Sequence, residues 1–211
     1  MISIDGLKFG YNGKEIINLP QWNLSQGEHS LFLGNSGSGK TTLLHLLAGL
    51  LKPQSGDIEI DGTSITRLKT SGMDLFRGRN IGLIFQAAHM IDALSVKDNL
   101  LLTQYLAGLP RDENRITEVL TGLNLGQKLN SMVYELSQGE AQRATIARAM
   151  LNKPAVILAD EPTSSLDDDN CDKVINMIIK QANQNNATLI ISTHDQRIKS
   201  KFSNFLKIGS K

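Results

Sequence analysis

The sequence has almost no cysteine and no long apolar run, the features that define disulfide-rich and membrane-spanning proteins. Its 211 residues include one cysteine, Cys171, which excludes a disulfide scaffold and a cysteine-built zinc site and suits a reducing compartment. The longest nearly apolar run, residues 43–51, contains His45 and is far shorter than the roughly 20 apolar residues that a membrane-spanning helix needs. We therefore expect a protein that does not cross a membrane by itself.

The chain also lacks an excess of charge of one sign. It has 22 Lys and Arg residues against 21 Asp and Glu residues, a formal net charge of +1. Proteins that hold nucleic acid through its phosphates usually have a clear basic excess, so we expect no nucleic-acid partner. With 40% hydrophobic and 20% charged residues, the composition is that of a globular chain, and its length suits one domain with a small subdomain.

Two kinds of strand pattern predict an α/β fold. Short apolar runs typical of parallel strands covered on both faces occur at residues 31–33, 81–85, 155–159 and 188–192, with helix-like segments between them. Alternating patterns in the first 30 residues and at 56–61 instead indicate a half-exposed antiparallel layer. We predict one domain over residues 1–211, with an α/β core at 1–86 and 152–211 and an inserted helical subdomain at about 87–151.

A glycine-rich segment at residues 34–41 fits the phosphate-binding pattern G-x-x-x-x-G-K-[ST]. Its glycines let backbone N–H groups turn inward, and the helix that follows adds its positive dipole end. Lys40 is expected to reach the β- and γ-phosphates of ATP, and the Thr41 hydroxyl to bind Mg²⁺. The residues predicted to bind nucleotide here are Gly34, Asn35, Ser36, Gly37, Ser38, Gly39, Lys40, Thr41 and Thr42.

Two adjacent carboxylates follow a buried strand pattern. Asp160 and Glu161 come directly after residues 155–159, at the ligand-binding edge of a parallel sheet. Asp160 is expected to hold Mg²⁺, and Glu161 to polarise a water molecule for attack on the γ-phosphate. The alternative interpretation is a pair of solvated acids at a strand end, which the phosphate-binding loop makes less attractive.

These residues resemble the nucleotide-binding subunit of an ABC transporter, over essentially the whole chain and in the family's order. Residues 34–41 resemble its Walker A loop, 157–160 its Walker B strand, 136–140 its signature and 164–167 its D-loop. The resemblance implies a P-loop NTPase fold. It also implies catalytic roles for Glu161, His194, Lys40 and Gln86, with Gln86 near the metal as well. Tyr11 would stack on adenine, and Asp167 would lie near the nucleotide.

The signature string Leu-Ser-Gln-Gly-Glu occurs twice, at residues 24–28 and 136–140. The first copy precedes a strand pattern and is interpreted as a turn. The second precedes residues 141–149, which have high helix propensity. There Ser137 can cap the helix and Glu140 can complete a capping box. Such a helix start suits an anion, although the family's commonest form has glycine in place of Gln138. A plain capped helix is the alternative for this stretch.

The resemblance implies partners as well as chemistry. Two copies would meet head to tail in the ATP-bound state, so that the phosphate-binding loop of one and Ser137 and Gly139 of the other bind the same ATP. Integral membrane permease subunits are the expected partners, and the expected location is the cytoplasmic face of the inner (plasma) membrane. The apolar stretch after Gln86, residues 87–94, is expected to dock the permease. The alternative for this stretch is core packing within the helical subdomain.

Residues 79–86 and 158–163 look most like the branch that contains lipoprotein-releasing, macrolide-exporting and cell-division ATPases. We therefore expect ATP hydrolysis coupled to export or to extrusion of a lipoprotein or another substrate. One alternative is a division-complex ATPase that switches an assembly without transport. Another is a P-loop nucleotide kinase, against which the signature and Glu161 argue, and a third is a DNA-repair ATPase, which would need a coiled-coil insertion.

Overall fold

A five-stranded parallel sheet forms the centre of the computed structural model, which describes residues 1–87, 89–164 and 166–209. Its strands are β3 (His29–Leu33), β6 (Ile81–Ile84), β7 (Val156–Asp160), β8 (Thr188–Thr193) and β9 (Asn204–Lys207). They lie in the order β6-β7-β8-β3-β9. The residues of β7 and β8 are buried on both faces except at Asp160, as expected for strands in the interior of a covered parallel sheet.

A second sheet is antiparallel and covers one side of the molecule. Its strands are β1 (Ile2–Tyr11), β2 (Lys14–Leu24), β4 (Ser55–Ile60) and β5 (Thr63–Ser64), in the order β2-β1-β4-β5. Asn12 and Gly13 join β1 to β2 with φ of 50° and 78°, the backbone that a two-residue hairpin favours. The predicted α/β fold with a parallel centre and an antiparallel layer is confirmed.

Six α-helices pack around the parallel sheet in the described part of the chain. They are α1 (Lys40–Leu47), α2 (Thr70–Asn80), α3 (Val96–Leu106), α4 (Glu113–Gly122), α5 (Gln138–Met150) and α6 (Asp168–Gln184). Shorter 3₁₀ turns lie at Ile65–Arg67, Gly126–Lys128, Val133–Glu135 and Gln196–Lys201. Across the described ranges, each helix is too short or too polar to span a bilayer.

The two faces of the parallel sheet contribute to two separate apolar clusters. Along β7, Val156 and Leu158 face the cluster that contains α1 and the antiparallel sheet. Ile157 and Ala159 face the cluster that contains α3, α4, α5 and α6. This alternation follows from the two-residue period of a strand. Strand β7 therefore packs against both apolar clusters, and Asp160 lies at its carboxyl end.

Close packing between β6 and α5 depends on Gly82, which has no side chain. A Cβ added at Gly82 would lie 2.3 Å from the backbone oxygen of Ala149, well inside van der Waals contact. Glycine therefore lets the last turns of α5 approach the edge strand of the sheet. Since α5 begins just after Ser137, this contact also fixes where the start of that helix lies relative to the sheet.

Candidate active site

The predicted phosphate-binding loop lies between β3 and α1, at the edge where the parallel strands end. Gly39 has a φ of 101°, which favours glycine, and a Cβ at Gly34 would lie 2.4 Å from Oγ of Ser38. Lys40 is 6% exposed, and its ammonium donates to the backbone oxygens of Gly34 at 2.9 Å and Asn35 at 3.1 Å. The loop is thus curled around the lysine head group.

The predicted metal ligands Thr41 and Asp160 are in contact. Thr41, in the first turn of α1, donates from Oγ1 to Oδ1 of Asp160 at 3.2 Å. Ser192 donates from its hydroxyl to the same carboxylate oxygen, because β7 and β8 pair Asp160 with Ser192. Gln86 is exposed and lines one cavity with Thr41 and Asp160. The structure therefore brings all three predicted Mg²⁺ ligands to one place.

This set of oxygen donors fits Mg²⁺. A hydroxyl, a carboxylate and an amide oxygen are hard ligands, and Mg²⁺ is commonly held by one or two carboxylates together with substrate phosphates. Within the described ranges, no group of three or more His, Cys, Asp or Glu side chains is placed to hold a metal ion. A metal at Asp160 would take its remaining ligands from water and from substrate phosphates.

Glu161 adopts an uncommon backbone conformation at the end of β7. Its φ of 47° lies in the left-handed region, which residues other than glycine rarely adopt. Backbone strain of this kind concentrates at functional sites. Its Oε1 lies 2.9 Å from Nδ1 of His194 and 3.8 Å from Nζ of Lys40. Thr193 donates from Oγ1 to the other carboxylate oxygen at 3.2 Å. The carboxylate is therefore held by three different side chains.

Most of the predicted nucleotide-binding residues line a single cleft. The cleft has a volume of about 860 Å³ and a wide mouth to solvent. The predicted residues along it are Tyr11, Asn35, Ser36, Gly37, Gly39, Lys40, Thr41, Thr42, Gln86, Glu161 and His194. His194 is 64% exposed at its side chain, whereas Glu161 is 17% exposed. The cleft is thus lined by a largely buried carboxylate and by a histidine that is more open to solvent.

Tyr11 stands at the rim of this cleft, at the end of β1. The residue is 49% exposed, and its ring makes an edge-to-face contact with Phe9, with the ring centroids 4.9 Å apart. This contact orients the ring while leaving it accessible, as a stacking role on a base requires.

Two of the predicted signature residues lie elsewhere on the molecule. Ser137 caps α5, since its Oγ accepts from the backbone N–H of Glu140 at 3.3 Å, and Glu140 accepts in return from the backbone N–H of Ser137 at 2.8 Å. Hydrogen bonds from Ser137 and from Lys128 lower the pKa of Glu140 to about 2. Gly139 lines a second cavity, of about 620 Å³, between α5 and α6.

Asp167 also has a structural contact, as the cap of α6. Its Oδ1 accepts from the backbone N–H of Asn170 at 2.8 Å, and it is not among the residues that line the cleft. Of the predicted D-loop, Ser165 lies outside the described residues, as does Ala88 of the predicted docking stretch.

Sequence reasoning did not identify the polar residues that hold the two carboxylates. Ser192 and Thr193 end β8 directly before His194 and are fully buried. They contact Asp160 and Glu161 respectively. The available signal was the pair of hydroxyl residues directly after the apolar residues 189–191, since the carboxyl ends of strands meet the ligand edge of a parallel sheet.

Comparison with known proteins supports the same family. The family described as ABC transporter matches residues 17–164. The lipoprotein-releasing system ATP-binding protein LolD of Bacteroides fragilis (strain YCH46) is 35% identical over 200 residues, which cover 94% of this chain and 93% of that protein. The putative hemin import ATP-binding protein HrtA of Staphylococcus epidermidis (strain ATCC 12228 / FDA PCI 1200) is 41% identical over 186 residues, 87% of this chain and 83% of that protein.

A solved structure with the same fold is that of the dimeric ATP-binding cassette MJ0796 in a post-hydrolysis state, bound to ADP and Pi. It superposes with a TM-score of 0.85 at 28% identity and covers 99% of this chain and 94% of that chain. The family match spans the phosphate-binding loop and both strand-end carboxylates, and the relatives align along nearly the whole chain. The chain therefore belongs to the ABC transporter family and is one of its ATP-hydrolysing subunits.

Proposed function

We propose that the chain hydrolyses Mg²⁺-bound ATP in the cleft at the carboxyl ends of β3, β6, β7 and β8, with Glu161 as the general base. The observation that carries this proposal is the placement of Glu161 Oε1, 2.9 Å from Nδ1 of His194 and 3.8 Å from Nζ of Lys40. A carboxylate so close to the phosphate-binding lysine can accept a proton from water as that water attacks the γ-phosphate.

The other side chains of the cleft have complementary roles in this proposal. Lys40 and the backbone N–H groups of the loop bind the negatively charged phosphates. Thr41, Asp160 and Gln86 hold Mg²⁺, which when bound neutralises charge on the β- and γ-phosphate oxygens. His194, at the mouth of the cleft, donates a hydrogen bond to the γ-phosphate and keeps the attacking water in line. Tyr11 stacks on the adenine ring.

The positions of Ser137 and Gly139 support a head-to-tail dimer of this chain. Both lie at the start of α5, where backbone N–H groups and the helix dipole favour an anion, yet neither lines the cleft that holds the phosphate-binding loop. A second copy can supply its own α5 to that cleft, which joins the two chains through ATP. MJ0796, which has the same fold, has been solved as a dimer.

We further propose a membrane permease as the partner and the cytoplasmic face of the membrane as the location. In the stretch after Gln86, His89, Ile91 and Ala93 are exposed, so they are available for docking. Met90 is 9% exposed and packs in the apolar cluster, so this residue contributes to the core instead. The names of several relatives at 34–38% identity favour a lipoprotein-releasing system for this chain as well.

The substitution Glu161→Gln tests the hydrolytic mechanism. The amide keeps the shape of the side chain but cannot accept the proton, so ATP binding persists, turnover falls to background and an ATP-bound dimer accumulates. Light scattering after size-exclusion chromatography, with and without ATP and Mg²⁺, measures the dimer. A variant that stays monomeric with ATP and hydrolyses it normally would refute both the role of Glu161 and the dimer.

The partner can be identified by co-purification from detergent-solubilised membranes of cells that express the tagged chain. The expected result is one integral membrane protein of the lipoprotein-releasing type, retained by the parent chain and reduced by Ile91→Asp. Recovery of a division-complex membrane protein would instead favour an ATPase that switches an assembly. If Ile91→Asp recovers as much of the membrane protein as the parent chain, the docking surface does not include Ile91.

A further inference from the structure

A chain of hydrogen bonds leads from Glu161 back through the end of β8. The hydroxyl of Thr193 accepts from the backbone N–H of Asp195 at 2.9 Å and donates to Oε2 of Glu161 at 3.2 Å. Because the oxygen of this buried hydroxyl already accepts from the N–H group, its single proton is left to donate to the carboxylate. The backbone of Asp195 and the carboxylate of Glu161 are therefore linked through one side chain.

Asp195 is in turn held by the guanidinium of Arg197. Nε of Arg197 donates to both carboxylate oxygens of Asp195, at 2.9 and 3.0 Å, and Nη2 donates to Oδ2 at 2.7 Å. Such charge-assisted, bidentate contacts are the strongest and most directional hydrogen bonds between side chains. They lower the pKa of Asp195 to about 2, with smaller contributions from its other hydrogen bonds. Asp195 also accepts from the hydroxyl of Thr163 at 3.3 Å.

The two terminal nitrogens of the same guanidinium also contact the segment at the start of α6. Nη1 of Arg197 donates to Oδ1 of Asp168 at 2.5 Å and to the backbone oxygen of Leu166 at 3.3 Å. Nη2 lies 3.4 Å from that same backbone oxygen. Arg197 thus connects two loops that follow different strands, one after β7 and one after β8.

We propose that Arg197 is a positioning residue for hydrolysis, which fixes residues 166–168 relative to Glu161 and His194. The inference rests on the proposed roles of those two residues. A displacement of residues 166–168 moves the guanidinium and with it Asp195, and Thr193 passes that displacement to the carboxylate of Glu161. The planar fork of arginine can hold both loops at once, whereas the single ammonium of lysine is a point charge that cannot match this geometry.

Steady-state ATP hydrolysis by Arg197→Ala tests the proposal. Because misplacement of a reacting group by about 1 Å can cost roughly a hundredfold in rate, we expect kcat to fall about tenfold or more, while KM for ATP stays within about twofold. Arg197→Lys is expected to recover only a small part of kcat. Thr193→Val, which removes the hydroxyl at nearly constant volume, is expected to lower kcat without changing KM.

The matched control is Arg79→Ala. Arg79 also binds two backbone oxygens through its guanidinium, those of Ala107 at 2.8 Å and Gly108 at 3.1 Å, but at the end of α3. Its removal tests whether loss of such contacts affects kcat through stability alone, and we expect kcat to stay at the parent value. Circular dichroism of both variants confirms that each is folded under the assay conditions.

A kcat for Arg197→Ala within about twofold of the parent chain would overturn the proposal, as would full recovery by Arg197→Lys. If Arg197→Ala does not fold, Asp168→Asn weakens the same connection from the other side and is assayed in the same way. Glu161→Gln in parallel separates the two possible failures. An active Glu161→Gln variant contradicts the assigned hydrolytic mechanism, whereas an inactive Glu161→Gln beside a normal Arg197→Ala contradicts only the positioning role.

Discussion

Lys40 and Glu161 face each other across the candidate active site, with Nζ and Oε1 3.8 Å apart. Both side chains are largely buried, at 6% and 17% exposure, and a buried charge needs a nearby partner of opposite sign. A triphosphate bound at the loop supplies a competing negative charge for Lys40. Lys40 is therefore placed to interact with both the bound nucleotide and Glu161.

Lys40→Ala is expected to abolish hydrolysis and to weaken ATP binding. Hydrogen bonds to charged groups contribute about 1.5–3 kcal/mol each, and about 1.4 kcal/mol corresponds to tenfold in affinity. We therefore expect Kd for ATP, measured by isothermal titration calorimetry, to rise roughly tenfold to a hundredfold. The exposed Lys52, in the loop after α1, provides the control, since Lys52→Ala should leave both quantities unchanged. Normal turnover by Lys40→Ala would contradict the phosphate-binding role of Lys40.

Gly82→Ala is expected to destabilise the fold through the contact between β6 and α5. The added methyl group would lie 2.3 Å from the backbone oxygen of Ala149, and overpacking of this kind costs about 1–3 kcal/mol. Urea unfolding followed by circular dichroism measures the change. Gly72→Ala, in α2, is the matched control, because its Cβ would meet atoms no closer than 3.9 Å and alanine stabilises a helix by about 0.5–1 kcal/mol relative to glycine. Equal midpoints for the two variants would contradict the packing argument.

The stability of the protein is expected to fall in acid between about pH 4.5 and pH 2. Hydrogen bonds lower the pKa of Asp195 and Glu140 to about 2, from ordinary values of 3.8 and 4.5. The unfolded chain therefore binds protons first as the pH falls, so the stabilisation is complete above the ordinary values and is lost toward the lowered ones. Urea unfolding at pH 5 and pH 3 measures it. Asp195→Asn should flatten this dependence, and Asp92→Asn, at an exposed aspartate, should not.

The sequence predicted the position of a candidate site residue best where that residue directly follows an apolar strand. The apolar run before Asp160 identified both the strand and the edge at which its carboxylate lies, because that relationship is local. The pairing of Asp160 with Ser192 joins residues that are 32 positions apart, and the pattern of each strand alone does not show which strand is its neighbour. The contacts of Arg197 escaped prediction for the same reason.

Helix α2 was also not predicted, because its sequence contains Gly72 and Gly78 and has no strong apolar stripe. It is stabilised mainly by contacts with the rest of the fold. Met73 is buried in the cluster beside α1, and Arg77 lies 3.4 Å from the backbone oxygens of Ala48 and Gly49 at the end of α1. Tertiary contacts of this kind override weak helix propensity.

The distance in the fold between the phosphate-binding loop and the start of α5 has a genetic consequence. Under the proposed head-to-tail pairing, a chain damaged at Lys40 still carries an intact α5, and a chain damaged at Ser137 still carries an intact loop. Each kind alone forms only defective pairs. When both kinds are made in one cell, a mixed pair combines the two intact halves, so two loss-of-function alleles at different positions can complement each other.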